Sequence, residues 1–237
     1  MKKVLTLLAI ALVSFSLKAQ SPIGAWEMYS TNEIGDKLKS VVIFADGFQV
    51  ISVYNADTGK FVSTNGGTWK LEGDKMTEKV EFDTASPERV GSEVTFNVEI
   101  SENTIKVIDS TMKLTRIDSG TPGNLQGAWL MSGRVRDGNE QLRDTSGPRK
   151  TMKLLSGTRF QWIAYNTETK QFMGTGGGTY TTENEEYTEN IEFFSRDDSK
   201  VGISLKFDYN LVDGNWHHKG FSSKGDAMHE IWSVRNQ

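Results

Sequence analysis

The residues able to do chemistry are few and unevenly placed. All three histidines fall late, at His217, His218 and His229. Adjacent residues of a strand face opposite sides, so His217 and His218 cannot bind one ion through one face. Either of them with His229 and Asp226 or Glu230 could ligate zinc across neighbouring strands, but no zinc-ligand spacing accompanies them. All three are expected at the surface, and no metal is expected. Cysteine is absent, which removes thiolate ligands, disulfides and cysteine nucleophiles together. A Ser-His-Asp set can be grouped on paper, yet no Gly-x-Ser-x-Gly elbow presents the serine. The string Gly174-Thr175-Gly176-Gly177-Gly178-Thr179 lacks the Lys-Ser/Thr and the helix of a phosphate loop, and reads as strand bending at a barrel corner. Carboxylates are plentiful without a localised pair. The chain therefore reads as non-enzymatic, with no catalytic residues and no cofactor.

Two carboxylates stand apart. Tyr187, Glu189, Ile191 and Phe193 alternate along one strand and should share one face. Met76, Glu78, Val80 and Phe82 do the same earlier in the chain. Three of four residues on each face are apolar, so the face should look inward and carry its glutamate with it. A buried carboxylate must be paired or hydrogen-bonded. Glu189 and Glu78 are thus either structural partners of an inward Arg or Tyr, or polar anchors for a ligand in an otherwise apolar pocket. The aromatics available as pocket walls are Trp162, Tyr165, Tyr180, Tyr187, Trp216 and Trp232, with Tyr54 and Trp69 in the earlier copy. Filling the core of a small barrel is the competing role for each.

These residues sit on a duplicated framework. Tyr54-Asn55, Thr58, Phe61, Thr64, Gly66-Gly67-Thr68, Thr77-Glu78, Glu81-Phe82, Val90-Gly91 and Phe96 recur 111 residues later. Gly24-Ala25-Trp26 and Gly127-Ala128-Trp129 recur at a spacing of 103. So long a period means a duplicated domain, since solenoid repeats run about 20–50 residues. Short β-rich runs separated by Asp-Gly, Asp-Thr-Gly and Glu-Gly-Asp turns fill both halves. Val212-Asp213-Gly214-Asn215 reads as a hairpin turn, and short strands at regular spacing predict a sandwich or a barrel. Gln126 to Met131 and Thr151 to Leu155 are too short and uncapped for helices. The Gly/Pro/Ser cluster at 119–123 is the expected linker between residues 20–118 and 124–237. It is short enough that the two domains should touch. The change of spacing puts about eight extra residues near Arg134 to Lys150. That stretch reads either as a solvated hairpin tip or as a flap over a barrel mouth.

The openings and closings of the two copies carry a resemblance. Gly24-Ala25-Trp26 and Gly127-Ala128-Trp129 begin them, and strands ending in Arg116 and Arg235 close them. Each copy resembles a lipocalin-like barrel domain, in which such an Arg packs near the opening Trp. More narrowly, Gly177 to Tyr180, Tyr187 to Phe193 and Glu230-Ile231-Trp232 are similar to a secreted bacterial lipocalin-like family of unknown function. The resemblance implies an all-β fold of two tandem lipocalin-like antiparallel β-barrels. The first copy departs from it at Met76 and Thr115.

The first 19 residues read as a secretory signal peptide: Lys2-Lys3, an apolar run from Val4 to Leu17, and Ala19 at the cleavage site. The run is too short and interrupted to span a bilayer. An exported protein, periplasmic or extracellular, is expected, with no membrane insertion after cleavage. Of the 27 Lys and Arg, removal of Lys2, Lys3 and Lys18 leaves 24 against 31 acidic residues. An acidic chain without a basic stripe disfavours nucleic acid and anionic membranes as partners. Two functions remain open. One is a small, partly apolar molecule held in the second barrel; the other is a protein or glycan bound by loops on filled barrels.

Overall fold

The computed structural model describes residues 21–236, so the expected signal peptide lies outside the described residues. The chain forms two closed eight-stranded antiparallel barrels in tandem. The first runs β1 (Gly24–Thr31), β2 (Lys37–Ala45), β3 (Phe48–Asn55), β4 (Phe61–Glu72), β5 (Lys75–Asp83), β6 (Glu93–Ile100), β7 (Thr104–Val107) and β8 (Lys113–Asp118). The second runs β9 (Gly127–Arg136), β10 (Asn139–Leu142), β11 (Arg149–Leu155), β12 (Arg159–Asn166), β13 (Phe172–Glu183), β14 (Glu186–Phe194), β15 (Ser204–Val212), β16 (Asn215–Phe221) and β17 (Ala227–Val234). β1 closes on β8, and β9 closes on β17. β10 lies outside the closed ring, hairpinned onto the free end of β9. It is the extra segment of the second copy. The stretches 127–131 and 151–155 belong to strands β9 and β11.

Turn chemistry fixes the hairpins. Asp213-Gly214 joins β15 to β16 with positive φ at both residues, 49° and 79°, the conformation that matches the twist of flanking strands. The glycine strings work differently. In β4 and β13 the register slips between Gly66 and Gly67 and between Gly177 and Gly178. A Cβ on Gly67 would lie 2.0 Å from the carbonyl oxygen of Lys79, and one on Gly178 equally close to that of Asn190. The strands can approach only where no side chain intervenes.

These bulges correct the expected alternation. Tyr187 and Ile191 belong to the interior cluster of the second barrel and Met76 to that of the first, where Val80 is also buried. Phe193 and Phe82 do not follow them. Each bulge inserts one residue, Glu192 or Glu81, and re-aims the strand. Phe82 and Phe193 therefore enter a third cluster, formed by the outer faces of both barrels.

That third cluster is the joint of the molecule. Val41, Ile43, Val50 and Tyr54 of the first barrel pack there with Leu130, Met152, Leu154, Ile163 and Tyr165 of the second. The packing has an approximate two-fold relation. Phe61 stacks on its own counterpart Phe172, with ring centres 6.0 Å apart and planes 10° apart. Tyr54 stacks on Phe193 at 4.9 Å, and Tyr165 meets Phe82 at 4.8 Å. Each tyrosine hydroxyl then donates to the bulge glutamate of the opposite barrel: Tyr54 to Glu192 at 2.6 Å, Tyr165 to Glu81. Burial, then the adjacent carboxylate, pushes both phenols above their ordinary pKa, so both stay protonated donors. Gln161 donates to the counterpart hydroxyls of Thr64 and Thr175, at 2.9 and 3.0 Å.

The linker is also fixed. The Asp118 carboxylate accepts from the Ser156 and Thr158 hydroxyls and from the backbone N–H groups of Gly120, Gly157 and Thr158. The end of the first barrel is thereby pinned to the β11–β12 turn of the second.

Candidate functional site

The two interiors differ. In the first barrel Trp26, Phe44, Met76, Val98, Ile105 and Leu114 pack together, with Trp69 and Phe96 against them. The second holds a cavity of about 770 Å³, within the range of small-molecule sites. The closed end beneath it is filled by Leu125, Trp129, Phe160, Tyr180, Tyr187 and Trp216.

Lys153 and Glu189 line the inner part of the cavity. Their ammonium and carboxylate are 2.7 Å apart, with side chains 5% and 6% exposed. The Tyr187 hydroxyl donates to the same carboxylate oxygen at 2.9 Å. The Lys153 ammonium also lies 4.9 Å from the ring centre of Trp216, 5.1 Å from Tyr187 and 5.2 Å from Trp232. Those electron-rich faces supplement the ion pair. β11 brings Lys153 here because Met152 and Leu154 face the other barrel, which leaves the residue between them pointing inward. The first barrel has Val42 at this place: Val42 pairs with Trp26 as Lys153 pairs with Trp129. Without such a lysine, burial pushes the Glu78 carboxyl up to about 7, against a smaller opposing pull from Arg89.

His218 is 1% exposed and lines the cavity, which corrects the surface position expected for it. Burial, and next the charge of Lys153, lower its pKa to about 4, so the imidazole is neutral at pH 7. Among the described residues, neither of its ring nitrogens has a hydrogen-bond partner, and neither do the indole N–H groups of Trp216 and Trp232. Glu230 stands 3.7 Å from His218. Burial opposes its ionisation, but His218, Lys153 and Arg134 hold its pKa below the ordinary value. His217 and His229 lie on the other side of β16 and β17, joined ring to ring at 3.1 Å. Among the described residues no group of three His, Cys, Asp or Glu is placed to hold a metal ion.

The mouth is built by strand ends and turns. The extended β9–β10 hairpin supplies Arg134, Arg136 and Gln141; Arg143 and Arg149 follow, and Arg196 and Lys224 complete the rim. Trp162, Ile191, Phe194, Leu205 and Met228 form apolar walls. Residues 139–142 of this stretch are all exposed, as a solvated hairpin tip requires, and Arg134, Arg136 and Gln141 of the same hairpin border the opening.

Three of the sequence-predicted binding residues line the cavity: Trp162, Glu189 and Trp232. Tyr180, Tyr187 and Trp216 lie among the side chains that fill the closed end. Tyr54 and Tyr165 belong to the joint between barrels and do not line it. Trp69 and Glu78 lie in the first barrel, where the Trp69 indole donates to the Ala45 and Phe48 carbonyls. Sequence reasoning missed Lys153; it weighed His218 and Glu230 only as zinc ligands, and the arginines of 134–150 only as part of a hairpin tip or flap. For Lys153 a signal existed: apolar residues on both sides of it, in a strand whose outer face must therefore be covered.

The Arg at the end of each copy behaves differently. Arg116 lies 3.9 Å above the Trp26 ring, whereas Arg235 crosses to the first barrel and binds Glu81 through two N–H groups, at 2.9 and 2.7 Å.

Fold and cavity together define a tandem β-barrel with a ligand-sized lumen in its second half. Residues 124–235, the whole of that second barrel, match the model of a family described as a domain of unknown function (DUF4488). No curated protein matches the chain. Among the described residues, no helix is long and apolar enough to cross a membrane.

Proposed function

We propose that this chain is an exported, lipocalin-like, non-enzymatic binding protein that holds a small, partly apolar molecule in its second barrel. The observation that carries the reading is the cavity of about 770 Å³, walled by Trp162, Phe194, Leu205 and Met228. Such a pocket buries most of a drug-sized ligand and offers a few polar groups to orient it. Lys153, Glu189 and His218 are those groups. The first barrel serves as a packed support, joined through a face that leaves the mouth of the second open. The test is titration with a neutral phenylnaphthylamine fluorophore, excited through tryptophan. One saturable site is expected, abolished by Ala164→Trp, or by Thr151→Trp should the first variant fail to fold. Absence of saturable binding to the folded protein overturns the reading.

A further inference from the structure

The charge of the cavity is divided by depth. Its inner end carries the Lys153–Glu189 pair and Glu230 beside a neutral His218, with Glu230 also reached by Arg134 of the rim. The mouth carries Arg134, Arg136, Arg143, Arg149, Arg196 and Lys224 against Asp226. Six cations face one carboxylate there, in a chain whose formal charge is −4.

Internal contacts leave most of that positive charge uncompensated. Arg134 leans on Glu230 at 3.6 Å. Arg143 donates to the Met131 carbonyl, and Arg196 donates twice to the Met173 carbonyl, at 3.0 and 2.6 Å. A carbonyl takes up N–H groups but carries no net charge. The crowding is felt: burial first, then Arg149 and Arg134, lower the Arg143 pKa. A guanidinium binds a carboxylate, sulfate or phosphate through paired N–H groups, so this exposed arginine rim offers a site for an anion.

We propose that the ligand of the second barrel is an anionic amphiphile, its apolar body between Trp162, Phe194, Leu205 and Met228 and its anionic group at the arginine rim. This inference rests on the binding reading above. The orientation follows from the charge division, since an anion at the inner end would meet Glu189 and Glu230. The β9–β10 hairpin, present only in the second copy, then acts as the arm that carries Arg134 and Arg136 to the mouth.

The experiment compares decanoate, decanol and decyltrimethylammonium by calorimetry on residues 20–237, at low and high salt. Decanoate is expected to bind about tenfold more tightly than decanol at low salt, as one charge-assisted contact implies. Its advantage should shrink as salt rises, and decyltrimethylammonium should bind most weakly. Arg136→Gln/Arg149→Gln should bring decanoate to the level of decanol and leave decanol unchanged, while Lys106→Gln on the first barrel changes neither. Equal or tighter binding of decanol, without salt dependence, overturns the anion inference and leaves the binding reading standing. No binding of any of the three overturns both.

Discussion

Tyr54 of the first barrel donates to Glu192 of the second at 2.6 Å, and their counterparts Tyr165 and Glu81 repeat the contact in the opposite direction. Two halves of one chain thus meet as two subunits of a symmetric dimer would, each giving the same residues to the other. Several of the repeated residues, Tyr54, Phe61, Thr64, Glu81 and Phe82, belong to this joint. The symmetry is broken around the glutamates. Glu192 also receives Arg159 and Lys39, while Glu81 receives Arg235.

The joint makes the two barrels one cooperative unit. Chemical unfolding should show a single transition by tryptophan fluorescence and circular dichroism alike. Glu192→Ala strands the Arg159 guanidinium and the Tyr54 hydroxyl, and should destabilise the chain by about 3 kcal/mol. Two separate transitions in the unmutated protein would contradict this account.

The Lys153–Glu189 pair is expected to behave as a buried ion pair. Lys153→Met alone leaves an uncompensated carboxylate and should cost about 3 kcal/mol. Glu189→Gln alone leaves the ammonium with only the aromatic faces. The double variant Lys153→Met/Glu189→Gln should return to within about 1 kcal/mol of the starting protein. Additive losses in urea unfolding would argue against the pairing.

Two groups with displaced pKa values, half-buried Glu78 and buried His218, give opposed pH dependence. Glu78 has a folded pKa of about 7 against an ordinary 4.5. Between those values the folded chain holds a proton that the unfolded chain has lost, so stability falls as pH rises. His218 has a folded pKa of about 4 against 6.5. Between those values the unfolded chain holds the extra proton, so stability rises with pH. The slopes offset each other where the ranges overlap. Glu78→Gln should unmask the rise and be more stable than the parent at pH 8 by on the order of 2 kcal/mol, with no difference at pH 4. His218→Phe should unmask the fall. Parallel stability curves for all three proteins would remove both assignments.

The bulges predict a sharp contrast among glycines. Gly178→Ala forces a methyl group against the Asn190 carbonyl and should destabilise by about 3 kcal/mol or more. A Cβ on Gly147 meets nothing within 4 Å, so Gly147→Ala should leave the thermal midpoint nearly unchanged. Equal midpoints for the two variants would contradict the bulge geometry.

The duplication and the barrel class are legible because the repeat spacing, the turn residues and the period-two runs are local signals. The role of the repeated residues is not. Tyr54 and Tyr165 read as pocket walls because alternation separates two faces without saying which one is covered by another domain. Phe82 and Phe193 were placed inward because a bulge reverses alternation, and its only trace in sequence is a pair of glycines. His218 was expected outside since charge and polarity suggest surface; its neighbours on β14 to β17 are visible only in the closed barrel. Glu189 was legible as an inward carboxylate, but its partner Lys153 sits 36 residues earlier in a strand with apolar residues on both sides.

The most direct test of ligand binding in the second barrel is native mass spectrometry of residues 20–237, as isolated and after incubation with decanoate, decanol and decyltrimethylammonium. The account predicts one added mass per chain that disappears on denaturation and is missing from a folded Ala164→Trp variant. An unaltered apo mass in every sample, or an added mass that survives in the blocked variant, would contradict it.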